Sequence, residues 1–252
     1  MGEKLRMRYE KKDSAVYISH LDLMSCMRRS LLRAGISLRY SSGFNPHPYI
    51  SVALPLQVGC ASLSELLDFE PEDASNYKEM TDSLNRALPE GLKALEVYLP
   101  EMKYSTIAWI DISGELNYDM SVGASYDNGI VGESLRNGAA GELNNTEPML
   151  SIADRLIDCF SGGALIITKK TKSGSSDLDI APFIKNVSIS AGESMQLPTQ
   201  ETVRFSARVS AQNPSITPND ILSAMNMRGI PAPYNAVFTR IQLLDSDMCV
   251  FR

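Results

Sequence analysis

Two hydrophobic periods alternate along residues 4–100, and their order leaves few folds open. The stretch KLRMRYEK (4–11) sets Leu5, Met7 and Tyr9 against Arg6, Arg8 and Glu10. That period of two is the mark of a half-buried strand. AVYIS (15–19) either extends it past a turn or leads into the next element. Ser19 then reads as a helix N-cap, with Asp22 three residues on in place of the usual Glu of a capping box. Met24, Met27, Leu31 and Ala34 share one face at helical spacing, while Asp22, Ser25, Arg29 and Arg33 share the other, and Gly35 is a natural stop. The spacing predicts a helix over about 20–34.

ISLRYSS and YISVALPLQV favour strands and are separated by Gly-Phe-Asn-Pro-His-Pro. SELLDFEP gives a further strand ending at Pro71. SNYKEMTDSLNRALPEG is a second amphipathic helix with Tyr77, Met80, Leu84 and Leu88 inward, and LKALEVYLP closes as a strand. The order β-α-β-β-α-β is the ferredoxin-like arrangement, an antiparallel sheet with helices on one face. The second half repeats it less cleanly: strand TIAWIDISGEL, helix PMLSIADRLIDCF stopped by Gly162-Gly163, strands ALIITKK and TVRFSARVS, helix TPNDILSAMN, and strand NAVFTRIQLLD. Between the first two lies a Gly-, Asn- and Ser-rich stretch, about 117–147, that reads as a flexible insertion. The expected architecture is α+β, two tandem ferredoxin-like domains over 1–102 and 103–252.

Composition narrows the function classes. At 252 residues, with 44% hydrophobic and 21% charged, the chain is an ordinary globular sequence. No apolar run approaches the roughly 18–20 residues needed to span a bilayer. The start, MGEKLRMRYEKK, lacks the apolar core of a secretory signal, so a cytoplasmic protein without a membrane partner is expected. Cys26, Cys60, Cys159 and Cys249 lie too far apart for a zinc knuckle or a cluster ligand set; free thiols are expected, with no metal and no cofactor. Net charge is −6, yet residues 1–50 carry nine Lys/Arg against four acids. That asymmetry points to an anionic partner for the first segment.

His20 opens the predicted helix, where free N–H groups and the macrodipole favour an anion. The loop SSGFNPHPYIS has Gly43 for an unusual turn and two X-Pro bonds that bias Asn45 and His47 to extended backbone. A stiff loop suits binding, because little entropy is lost on engagement. Phe44 and Tyr49 are expected to plug the core, and Asn45 and His47 to face a ligand. Helix start and loop are expected to meet across one edge of the first domain, where His20 and His47 open onto a shared polar hollow.

The block ISHLDLMSCMRRSLLRAGISLRYSSGFNPHPYISVALPLQVGCASLSELLDFE resembles the radical-SAM-linked family, a bacterial domain of unknown function found beside or fused to a radical-SAM protein with a B12-binding-type domain. The likeness extends through Leu88-Pro89-Glu90-Gly91, through Lys169, Lys170, Asp179 and Pro182, and into SITPNDILSAM. The resemblance implies a radical-SAM/B12-binding partner. The chain lacks CxxxCxxC and so is not itself a radical-SAM enzyme. Association of the family with ribonuclease and ribosomal-protein genes tilts the expected substrate towards RNA or the ribosome.

Three functions follow. The favoured one is a non-catalytic accessory protein that presents an RNA or ribosome-related substrate through a basic site built from Ser19, His20, Arg29, Arg33, Arg39, Asn45, His47, Lys169 and Lys170. The alternatives are an enzyme that uses His20, Asp22 and His47 for acid–base or metal-assisted chemistry, and a purely structural subunit in which those groups clamp the fold.

Overall fold

The structure, a computed structural model, describes residues 3–119, 150–171, 174–192 and 200–252. Its elements run β1 (Leu5–Lys11), α1 (His20–Arg33), β2 (Ile50–Val52), β3 (Ala61–Phe69), α2 (Met80–Ala87), β4 (Leu92–Tyr98) and β5 (Trp109–Asp119). They continue with α3 (Ile152–Phe160), β6 (Ile166–Thr171), β7 (Gly174–Asp179), β8 (Ile184–Ala191), β9 (Gln200–Ser210), α4 (Pro218–Met227) and β10 (Asn235–Leu244). The class is α+β with a mostly antiparallel sheet. Among the described residues, no helix is long and apolar enough to cross a membrane. The insertion expected over 117–147 lies outside the described residues from 120 onward; 117–119 end β5.

Two compact units emerge, and they interleave along the chain. The first holds the described chain up to Ser113 together with Ala207–Ile216 and Val237–Arg252; the second holds the described parts of Gly114–Ser206 and Thr217–Ala236. The boundary differs from the expected cut at 102–103 because β5 and β9 each contribute residues to both units.

In the first unit the expected order over 4–100 is present. β1 pairs antiparallel with β3 (Leu5 opposite Phe69, Tyr9 opposite Glu65, Lys11 opposite Ser62) and with β4. The far edge of β3 is shared: β2 pairs antiparallel with its Leu67–Phe69 end, and β10 pairs parallel with Ala61 and Ser62. This parallel pair is a departure from the expected all-antiparallel sheet. AVYIS is not strand, because Asp13–Tyr17 form a single 3-10 turn leading to α1. Gly91 lets β4 start close to that turn: a Cβ there would lie 2.6 Å from the Lys12 carbonyl oxygen.

The core lies between this sheet and the two helices. Leu5, Met7 and Tyr9 meet Leu23, Met27 and Leu31 of α1 and Leu84 of α2, all buried. Burying side chains of this size contributes about 1.5–3 kcal/mol each. Leu23, rather than the expected Met24, takes the inward position on α1.

The outward face of β1, expected in solvent, is buried at Arg6 and half-buried at Arg8 and Glu10. Arg6 is only 1% exposed; its Nε and Nη2 donate to Asp68 at 2.7 and 3.1 Å, and its guanidinium stacks 4.5 Å from the Tyr104 ring centroid. A second buried pair joins Arg240 to Glu65 at 2.8 Å, with the same Arg240 nitrogen donating to the Leu54 carbonyl. Burial pushes the Glu65 carboxyl upward against the pull of Arg240, and pushes the Lys11 ammonium downward.

In the second unit, Ser151 caps α3, and the Glu201 carboxylate accepts from the backbone N–H groups of Ile152 and Ala153. Thr217 and Asp220 form a reciprocal capping box on α4. β6 pairs antiparallel with β7, from Ile166 opposite Asp179 to Thr171 opposite Gly174, where the sequence pattern gives only the strand ALIITKK.

Two measurements follow. Asp68→Ala strands the Arg6 charge in the interior and should cost about 3–5 kcal/mol in urea unfolding, whereas Arg6→Met with Asp68→Leu should recover most of that loss. The second concerns alkaline pH. Burial raises the phenols of Tyr9, Tyr98 and Tyr104 above the ordinary 10.0, so the folded chain retains protons that the unfolded chain has released. Their stabilisation is fully present below pH 10.0 and is lost as pH rises through the raised values; Lys11, lowered from 10.5, acts in the opposite sense only below that value. The urea midpoint should therefore fall steadily above about pH 10.5.

Candidate functional site

α1 begins where Ser19 Oγ accepts from the Asp22 backbone N–H at 3.2 Å and donates to Asp22 Oδ2 at 2.7 Å. The expected cap is present, and the Asp22 carboxylate is spent on it. His20 is exposed, and among the described residues its ring has no hydrogen-bond or ion-pair partner. Two residues apart on a helix, His20 and Asp22 point about 200° from one another, so the carboxylate is not aimed to orient the imidazole.

The chain path separates His20 from His47. β1 runs from the Leu5/Phe69 end of the sheet to the Lys11/Ser62 end, and α1 returns. After α1, Leu38 bridges Pro71 and the Tyr49 carbonyl accepts from Glu70, both beyond Phe69. The loop therefore leaves from the far end of the helix, which spans about 20 Å for its 14 residues. The shared hollow expected for the two imidazoles is not formed. Among the described residues, no three His, Cys, Asp or Glu side chains gather as a metal-ligand set.

The loop itself is tied at its neck. Ser41 N–H donates to the His47 carbonyl at 2.8 Å, His47 N–H donates to Ser41 Oγ at 2.9 Å, and Tyr40 bridges Pro48. Gly43 has φ +132, a backbone closed to other residues. Phe44, expected in the core, is fully exposed (108%), and Tyr49 is also exposed. Phe44 sits in the turn beyond the Tyr40–Pro48 bridge, where no pairing continues beneath it, whereas Tyr49 bonds Arg39 and Glu70 through its backbone and sets its ring 5.9 Å from the Arg39 guanidinium. Asn45 and His47 are exposed as expected. Arg39 is not free for an anion, since it pairs with Glu70 at 2.9 Å.

The outward face of α1 carries most of the remaining candidates. Arg28 reaches Ser25 Oγ, and Arg29 is exposed. Arg33 donates to Ser30 Oγ and, at 2.7 Å, to the Ala87 carbonyl, where it caps the end of α2. Arg86, the residue before that carbonyl, bonds Ser83 Oγ. Among the described residues, none of these four arginines forms an ion pair. By contrast Arg6, Arg8, Arg39, Arg240 and Arg252 of the same unit each meet a carboxylate. Tyr17 (73% exposed) and Leu21 (76% exposed) stand beside His20 at the start of the helix.

Sequence reasoning had named Arg29 and Arg33 and missed Arg28, Arg86 and Tyr17. Arg28 was legible from the wheel, sitting with Leu21, Ser25 and Leu32 on a second outward stripe. Arg86 needed the Arg33–Ala87 contact across 54 residues. Lys169 lies in the second unit and pairs with Asp220 at 3.1 Å. The Lys170 side chain lies outside what the structure describes.

Changing Ser19 to Ala should cost about 1 kcal/mol of stability through loss of the cap. His20→Ala should leave the urea midpoint unchanged. The pair of measurements separates structural from ligand-facing roles at this helix start.

The chain belongs to the family described as an uncharacterized protein conserved in bacteria (DUF2344), whose family model matches residues 4–218. Among curated proteins none matches it.

Proposed function

We propose that this DUF2344-family chain is a non-catalytic accessory protein that binds RNA, free or in the ribosome, across the outer helical face of its first unit and holds it for a radical-SAM enzyme. One observation carries the binding reading: Arg28, Arg29, Arg33 and Arg86 lie on two touching helices without carboxylate partners among the described residues. Guanidinium groups in that state are available to phosphate oxygens, which they engage as charge-assisted forks. Tyr17 offers an exposed ring for a base to stack on, and His20 adds a donor at the helix N-terminus. The radical-SAM/B12-binding partner is the class implied by the resemblance read in the sequence.

Catalysis by His20, Asp22 and His47 is the weaker reading. Asp22 is committed to the cap, and the two imidazoles leave from opposite ends of α1. A purely structural role for these groups is disfavoured too, because both rings are exposed and unpartnered among the described residues.

The test is titration of a single-stranded RNA against the chain and against a variant with Arg28, Arg29 and Arg86 changed to Glu; Arg33 is left in place because it caps α2. Each phosphate neutralised on a single strand contributes about 0.7 to the slope of log affinity against log salt, so the triple variant should lose about 2 units of slope and bind more than about tenfold more weakly. Equal affinity and slope for the two proteins would overturn the proposal.

A further inference from the structure

The loop over 41–47 is not used by the RNA reading, and its surroundings are unsuited to a phosphate chain. Residues 37–50 and 70–79 together carry four acids (Glu70, Glu72, Asp73, Glu79) and two bases (Arg39, Lys78). One of the bases, Arg39, is already held by Glu70. Beside the neck of the loop is an open cleft of about 340 Å³, lined among others by Ser37, Glu72, Asp73, Glu79 and Met80. The chain leads from this cleft to the neck of the loop within three residues: Glu72 N–H donates to the Ser37 carbonyl at 2.9 Å, Arg39 N–H donates to the Glu70 carbonyl at 2.9 Å, and Tyr40 then bridges Pro48.

We infer that this loop is an anchoring finger for a protein partner that offers an apolar socket rimmed by Lys or Arg. Phe44 supplies the anchor: its ring is completely exposed at the tip, and Tyr40 and Tyr49 flank it at 51% and 43% exposure. Large aromatic side chains that enter a pocket dominate interface energetics, and the groups around them chiefly exclude water. The finger is held ready by its neck hydrogen bonds, by the Tyr40–Pro48 bridge and by two X-Pro bonds, so docking orders little. The carboxylates of the adjoining cleft set the sign of the rim. They attract a cationic border and repel nucleic acid, which distinguishes this surface from the arginine face of α1. The inference stands independently of RNA binding, because it uses none of those arginines.

The experiment places the photo-reactive residue p-benzoylphenylalanine at position 44 of the full chain in bacterial cells. It is repeated in a Glu72→Lys, Glu79→Lys background, both exposed positions, with folding checked by thermal melting. If that background does not melt cooperatively, Glu72→Gln with Glu79→Gln replaces it. The expected result is one dominant protein adduct whose crosslinked peptide maps to apolar residues flanked by Lys or Arg, with a yield about fivefold or more lower after charge reversal. Adducts with RNA, adducts only with a second copy of this chain, the absence of a protein adduct, or a yield indifferent to Glu72 and Glu79 would each overturn the inference.

Discussion

Strand β3 carries two carboxylates into the interior, and the first unit is arranged around satisfying both. Glu65 and Asp68 are three residues apart, so the pleat sends them to opposite faces. Asp68 takes Arg6 from β1, and Glu65 takes Arg240 from β10, a residue 175 positions away in sequence. Buried ion pairs of this kind add little net stability over a well-packed apolar replacement. What they add here is register. A slip of one residue between β1 and β3 would turn Asp68 into the helix-facing core in place of Leu67 and Phe69. The β3–β10 contact is even more dependent, because its ladder consists of two residue pairs, Thr239 with Ala61 and Arg240 with Ser62. The Arg240–Glu65 bond fixes where that short parallel contact begins.

Local pattern made the β-α-β-β-α-β order of residues 4–100 legible. Alternation in β1, the Ser19 cap, the Gly35 stop and the stripe of α1 are all short-range signals, and each element they implied is present. The largest failures share one physical origin, pairing at long range. Arg6 reads as a solvent-facing residue because nothing near it in sequence can neutralise it; its partner is 62 residues on. β10 reads as the last strand of a separate domain, yet its residues from Val237 onward belong to the first unit. Strand periodicity predicts which face a residue takes, and says nothing about which edge its strand will find.

The site divides along the same line. The cap that positions His20 was legible, since capping is a contact over three residues. The pairing state of each arginine was not. Arg29, Arg33 and Arg39 have the same standing in the sequence, but Arg39 meets Glu70, Arg33 reaches a helix end, and Arg29 is left exposed. The aromatic loop was misread for a related reason. A Phe and a Tyr among strand-prone residues normally fill a core, and only the Tyr40–Pro48 bridge shows that Phe44 lies in the turn beyond the last pairing.

The distribution of charge partners bears on what kind of protein this is. Among the described residues, arginines of the first unit on strands or beside them meet a carboxylate, and those on α1 and α2 do not. Setting four guanidinium groups together without carboxylate partners among the described residues raises their mutual repulsion by a few tenths of a kcal/mol per close pair, a cost set against the hydrogen bonds of Arg28, Arg33 and Arg86 to Ser25, Ser30, Ala87 and Ser83. The Phe44 finger has the same character: it exposes a whole aromatic ring while the neck of its loop is held by bonds that spend stability on shape. The two surfaces, one cationic and one apolar beside an acidic cleft, are the ground for proposing two different partners rather than one. A protein that brings an anionic chain and a second protein together needs that separation, because a single mixed surface would let either ligand block the other.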